Sequence, residues 1–216
     1  MRILLGVPAF DERAVFTKCF QSLWELDRDG NEVIFFPATG YDCATARNKI
    51  AQKAIDEGAD YCLMVDSDTT LQRNALRNLL EWEQDVVLGY YAHRDKENVY
   101  RGRSNLCRLY QPDGQKYYNY PVESEYTEDE LYEMRCAGEH LIRIHGGGMG
   151  CALIWTDVFR RLKYPWYDWV NYADEKRGML SEDLYFCEQC RFADIPIYAD
   201  TRVSCGHILR YEQIMK

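Results

Sequence analysis

Residues 61–65, Tyr-Cys-Leu-Met-Val, form a five-residue apolar run that stops abruptly at Asp66-Ser67-Asp68. A run of this length, bounded by charge, predicts a buried strand, because it is too short for a stable helix. The pattern around it repeats. Residues 2–7 predict a strand that Pro8 ends, and 12–26 place Val15, Phe16, Phe20, Leu23 and Trp24 at helical spacing. Val33–Phe36 predicts a second strand, 43–57 a helix stopped by Gly58, 70–82 a further helix and 85–91 a further strand. A β-α-β-α-β-α-β order implies an α/β fold with a parallel sheet and right-handed crossovers. Such folds place ligands in the crevice at the carboxyl ends of the strands, where Asp66 and Asp68 fall.

Segment 93–136 is polar, rich in tyrosine and irregular, with a hairpin expected around Pro112-Asp113-Gly114. Its run His93-Arg94-Asp95-Lys96 to Arg101-Gly102-Arg103 carries both signs and reads as a solvated loop, with a lid as the alternative. Two strand-like runs over 140–155 flank Gly146–Gly150. A helix at 156–162, an aromatic loop at 164–169, a helix at 181–193 and short strands near 196–199 and 202–205 complete the pattern. No repeat, low-complexity tract or linker interrupts it. The expectation is one domain over 1–216, with 1–92 as a nucleotide-binding half and 93–216 as an acceptor-binding half.

The formal net charge of −9 argues against broad nucleic-acid binding, which needs a basic surface. No apolar run approaches the length of a membrane span, and no signal-peptide core is seen. Nine scattered cysteines, mostly within apolar stretches, favour reduced thiols and a cytoplasmic location. Cys187-x-x-Cys190 lacks a second pair at zinc-finger spacing, so both read as packing residues. Seventeen tyrosines and five tryptophans exceed what a core requires, and sugar faces stack on such rings.

Two carboxylates at i and i+2 on a strand tip repel each other unless a cation lies between them and a polyphosphate. The competing reading of Asp66-Ser67-Asp68-Thr69 is a helix N-cap cluster. His207, at the end of a terminal strand beside Gly206, is a candidate third ligand; the alternative is a packed core histidine. Mixed oxygen and imidazole ligation suits Mn²⁺, and all-oxygen ligation suits Mg²⁺. Ser181-Glu182-Asp183 caps a helix or supplies a carboxylate base, and both can hold at once. Gly146-Gly147-Gly148-Met149-Gly150 lacks the Lys-Ser/Thr of a phosphate loop. Its glycines mark a tight turn or the approach of a substrate. Arg47 either neutralises phosphate or pairs with Asp42.

These residues occur in an order that resembles GT-A-fold glycosyltransferases, particularly small bacterial and phage members similar to glycosyltransferase family 2. Val7-Pro8-Ala9-Phe10 resembles the end of the family's first strand. Thr45-Ala-Arg47-Asn48 leading to Asp66-Ser-Asp68 resembles its Asp-x-Asp region. Gly148–Ile154, Ser181-Glu182-Asp183 and His207 resemble the acceptor strand, the Glu-Asp motif and the terminal metal ligand.

The resemblance implies a mixed, mostly parallel sheet flanked by helices, a nucleoside-diphosphate sugar donor of UDP or GDP type, and Mn²⁺ or Mg²⁺. It implies that Pro8, Ala9, Phe10, Thr39, Arg47, Asp66 and Ser67 lie near the nucleotide. Asp66, Asp68 and His207 would be metal ligands, and Asp183, beside Glu182, would be the catalytic base. Gly148, Trp166 and Trp169 would face an acceptor, which is a glycan, lipid, protein or small molecule. The alternatives are a catalytically silent binding module of the same fold and a sugar-nucleotide pyrophosphorylase. The latter calls for a basic glycine-rich loop after strand one, where this chain has Pro8-Ala-Phe-Asp-Glu12.

Overall fold

Three parallel strands form first along the chain. A computed structural model describes residues 1–10, 17–92, 103–108, 125–171 and 179–208. β1 (Arg2–Ala9) is buried at every position after Arg2. Burial on both faces is the signature of a central strand covered by helices. α1 (Thr17–Trp24) follows, then β2 (Glu32–Thr39) and α2 (Cys43–Asp56). β3 (Tyr61–Val65) comes next, and β1 pairs in parallel with both β2 and β3. Asp42 caps α2, accepting the Thr45 N–H at 3.1 Å. Gly58, at φ +61°, ends that helix as expected.

β4 (Thr69–Thr70), α3 (Ala75–Leu80) and β5 (Val86–Tyr90) follow the acidic turn. The helix expected over 70–82 is shorter: Thr70 belongs to β4, residues 71–74 form a loop and turn, and α3 starts at Ala75 and ends at Leu80. β6 (Arg103–Cys107), β7 (Glu125–Thr127) and α4 (Glu128–Cys136) lie in the segment expected to be irregular. α4 begins with a reciprocal capping box between Thr127 and Glu130. β8 (Leu141–Ile144), β9 (Gly146–Gly147), β10 (Cys151–Trp155) and α5 (Thr156–Arg161) come next. β11 (Val170–Asn171), β12 (Met179–Leu180) and α6 (Glu182–Phe192) precede β13 (Ile197–Ser204) and β14 (Gly206–His207). The two strands expected near 196–199 and 202–205 are thus the single strand β13. The expected hairpin at 112–114, the charged run 93–102 and residues 11–16 of the first helix lie outside the described residues.

The central sheet has seven strands in the order β2-β1-β3-β10-β5-β13-β8. Five share one direction; β10 and β8 run against it. β5 does not continue the parallel series next to β3, as its place in the chain order suggests. β10, apolar through Cys151-Ala-Leu-Ile154, wedges between them and is buried along that length. Helices cover both faces. α2, α5 and α6 pack Ile50, Phe159 and Phe186 on one side, while α1 and α3 pack Leu23, Leu76 and Leu79 on the other. Cys187 and Cys190 are buried in the first of these layers, in keeping with packing residues. No helix among the described residues is long and apolar enough to cross a membrane.

Candidate active site

The acidic turn at the end of β3 is stitched to two other loops. The Asp66 N–H donates to the Gly150 carbonyl at 3.1 Å, and the Ile208 N–H donates to the Asp68 carbonyl at 2.8 Å. β14 pairs antiparallel with β4, setting His207 opposite Thr69. This register brings His207 Nε2 to 3.7 Å from Asp68 Oδ1, with both side chains largely buried. Nδ1 of the ring lies 2.8 Å from the Ala92 carbonyl and must donate its proton there. When the ring is neutral, that tautomer turns its Nε2 lone pair towards a carboxylate oxygen. Two acceptors so arranged suit a cation between them, and a backbone carbonyl orienting the ligating ring is common at metal centres. The donor set of Asp68 and His207 therefore fits a divalent ion of the Mn²⁺ type.

Asp66, expected as a third ligand, is engaged elsewhere. Its Oδ1 accepts from Arg47 Nη2 at 2.9 Å. Among the described residues, no group of three or more His, Cys, Asp or Glu side chains gathers as a metal site.

Arg47 is only 1% exposed, although it is a cation in the interior of α2. A buried charge needs partners, and this one has them from three elements. Besides Asp66, its Nη1 donates to the Met149 carbonyl at 3.3 Å. Its Nε lies 3.2 Å from Asp183 Oδ1 and 3.6 Å from Glu182 Oε1. The expected pairing of Arg47 with Asp42 is not seen, since Asp42 caps α2. Arg47 Nε and Asp183 Oδ1 approach without the alignment of a hydrogen bond, and neither atom has a hydrogen-bond partner. Burial pushes the Asp183 carboxyl up to about 7, against the lowering pull of Arg47 and with help from Glu182 and Asp66. Capping of α6 falls to Ser181, whose Oγ accepts the Leu184 N–H at 3.5 Å. Asp183 is left for other work.

The glycine loop forms the next wall. A Cβ on Gly148 would lie 2.3 Å from Tyr91 Oη, and one on Gly150 would lie 2.8 Å from the same ring. Tyr91, rather than a substrate, explains both glycines. Its hydroxyl accepts the Gly150 N–H at 3.2 Å, and its ring meets His207 edge-on at 5.1 Å. Asn105 secures this arrangement. Its Oδ1 accepts the Tyr91 N–H at 2.8 Å and its Nδ2 donates to the Gly148 carbonyl at 3.2 Å. Sequence reasoning missed Tyr91 and Asn105. Tyr91 follows directly on β5 and was open to notice, whereas Asn105 lies in the segment read as irregular.

The remaining expected residues divide. Ala9 and Thr39 stand side by side in register, with Pro8 and Ala9 buried and Phe10 82% exposed just beyond them. Ser67 is half-buried in the acidic turn. Trp166 corrects the expectation of an acceptor platform. It is 5% exposed, packs on Phe159 and donates its indole N–H to the Phe159 carbonyl at 2.7 Å. It is a core residue. Trp169 is 44% exposed.

No protein-family model matches the sequence, and no curated protein matches it. Solved structures do. The crystal structure of A197 from STIV is 15% identical at a TM-score of 0.58, over 97% of this chain and 87% of that one. GalNAc-T7, crystallised with UDP, GalNAc and Mn²⁺, is 12% identical at a TM-score of 0.56. It is matched over 97% of this chain, which spans 44% of the GalNAc-T7 chain. At such identities a likeness shows the fold, and the fold is the expected one: a GT-A-like mixed α/β sheet flanked by helices.

Proposed function

We propose that this chain is a metal-dependent glycosyltransferase of the family 2 type, moving a sugar from a nucleoside-diphosphate sugar to an acceptor hydroxyl. The observation that carries the reading is the meeting of two different acidic centres around one turn. Asp68 stands 3.7 Å from His207, and Asp183, with an unsatisfied buried oxygen, stands by the arginine that holds Asp66.

Asp68 and His207 would hold Mn²⁺ or Mg²⁺, which when bound offsets negative charge on a diphosphate leaving group. The Asp183 carboxylate accepts the proton of the attacking hydroxyl. A carboxyl poised at about 7 is well matched to that task near neutral pH. The resulting base makes inversion at the anomeric carbon the expected outcome. Pro8, Ala9, Phe10 and Thr39, on the adjoining ends of β1 and β2, supply the wall for a UDP- or GDP-type nucleotide, and Trp169 offers an exposed ring to the acceptor. GalNAc-T7, crystallised with UDP and Mn²⁺, lends the donor and metal classes as a precedent of the same fold.

A thermal-shift series with UDP, GDP, CDP and dTDP, each with and without Mn²⁺, tests this. One nucleotide at about a hundred times its dissociation constant should raise the melting temperature by about 5–10 °C, in the presence of metal only. Asp68→Ala and His207→Ala should each abolish that rise. Stabilisation by no nucleotide, or an undiminished rise in both variants, would overturn the reading.

A further inference from the structure

Arg47 is enclosed on every side by groups of the protein itself. Asp66 comes from the tip of β3, Met149 from the glycine loop, and Glu182 and Asp183 from the first turn of α6. One planar guanidinium thus touches three walls of the same site. At 1% exposure it has no face left to present to a phosphate.

We propose that Arg47 is a positioning residue: from inside the protein it locks the donor-side carboxylate Asp66 to the acceptor-side pair Glu182–Asp183, without touching a ligand. The proposal rests on the transferase reading above and deepens it, because it names what sets the distance between the two halves of the reaction.

Three physical points support it. A forked guanidinium bridges several oxygens at fixed angles, which a lysine ammonium on a flexible stem does not. One positive charge stands against three carboxylates, so the cluster orients them without neutralising them all. The buried Oδ1 of Asp183 is held at 3.2 Å from Nε, out of line for a hydrogen bond, so the cation fixes how the carboxylate sits through charge rather than through a shared proton.

The charged neighbours that bear on Asp183 are Arg47, Glu182 and Asp66. The titratable groups Tyr91, Tyr167 and Cys187, also within its electrostatic reach, are pushed well up by burial and stay uncharged near neutral pH. Cys43, beside Arg47, Glu182 and Asp66, is raised by burial too.

The test is carboxyl ¹³C NMR on Arg47→Lys, with Asp183→Asn assigning the signal, alongside titration of the four nucleoside diphosphates in Mn²⁺. In Arg47→Lys the Asp183 midpoint should rise by roughly one pH unit, since the cation no longer sits at a fixed place beside it. Nucleotide affinity should change less than about threefold, a small effect on the free-energy scale. Arg47→Met should move the midpoint further in the same direction; should it fail to fold, Arg47→Lys decides alone. An unmoved midpoint in Arg47→Lys would overturn the positioning role, whatever its melting temperature. A nucleotide affinity weakened more than tenfold with the midpoint unmoved would make Arg47 a phosphate ligand instead. Failure of the wild-type protein to bind any of the four nucleotides would sink the transferase reading, while the NMR midpoint would still decide whether Arg47 sets the state of Asp183.

Discussion

Asp183 shows how far surroundings remake a single side chain. Its folded-state midpoint, near 7, lies above the ordinary aspartate value of 3.8. Folding therefore favours the protonated form. The penalty for ionising it is absent at acid pH, grows as the pH rises between those two values, and is complete above the higher one. Asp183→Asn should accordingly stabilise the fold at pH 8 by on the order of 1–3 kcal/mol, shrinking towards nothing near pH 4. Melting curves of both proteins across that range check the sign, and equal differences at both ends would contradict it. Transfer by the wild type should rise through pH 7 as the base ionises. The sequence announces Asp183, since Ser-Glu-Asp before a helical pattern is conspicuous. It does not announce the raised midpoint, because Arg47 and Asp66 lie far away along the chain and reach Asp183 only through the sheet. The same holds for Trp166, whose aromatic loop looks like a platform until its indole N–H is found on a backbone carbonyl in the core.

At the scale of elements, the glycine loop and the end of β5 form one unit. Gly148→Ala and Gly150→Ala should each destabilise the protein by about 1–3 kcal/mol, through overpacking against Tyr91. The two should part company in a Tyr91→Phe background. At Gly148 the tight contact is the hydroxyl at 2.3 Å, with the next ring atom at 3.3 Å, so removing the oxygen relieves the strain. At Gly150 ring carbons also lie at 2.8 Å, so the strain persists. Denaturant unfolding of the three single and two double variants reads this directly, and equal rescue at both positions would refute the packing account. The elements themselves were legible to different degrees. The strands and helices of the first ninety residues follow from apolar periodicity. α4 went unread although Thr127-x-x-Glu130 carries the capping-box signature. β4 was not legible, because it is defined by its pairing with β14, which no local pattern reveals.

For the whole molecule, the position of β10 matters most. It pairs with β3 on one side and β5 on the other, both antiparallel, so the strands of the first ninety residues do not form a continuous sheet by themselves. A fragment ending at residue 92 should fail to fold, giving a collapsed amide spectrum by NMR; well-dispersed peaks would show instead that a nucleotide-binding half can stand alone. The core crosses residue 92, because β10, β13 and β8 complete the sheet that the earlier strands begin. Fold class was readable because alternating strands and helices leave few arrangements. Strand order was not, since an apolar run such as Cys151–Ile154 carries no mark of which neighbours it will take.

That late-arriving wedge also bears on how the chain is made. A ribosome emits β3 and β5 well before β10, and at usual elongation speeds the interval is on the order of several seconds. During it, two apolar strand edges stand open in the crowded cell, waiting for a partner encoded some sixty residues downstream. Slowing translation just ahead of β10 should therefore lower the yield of native protein, even with every codon spelling the same residue.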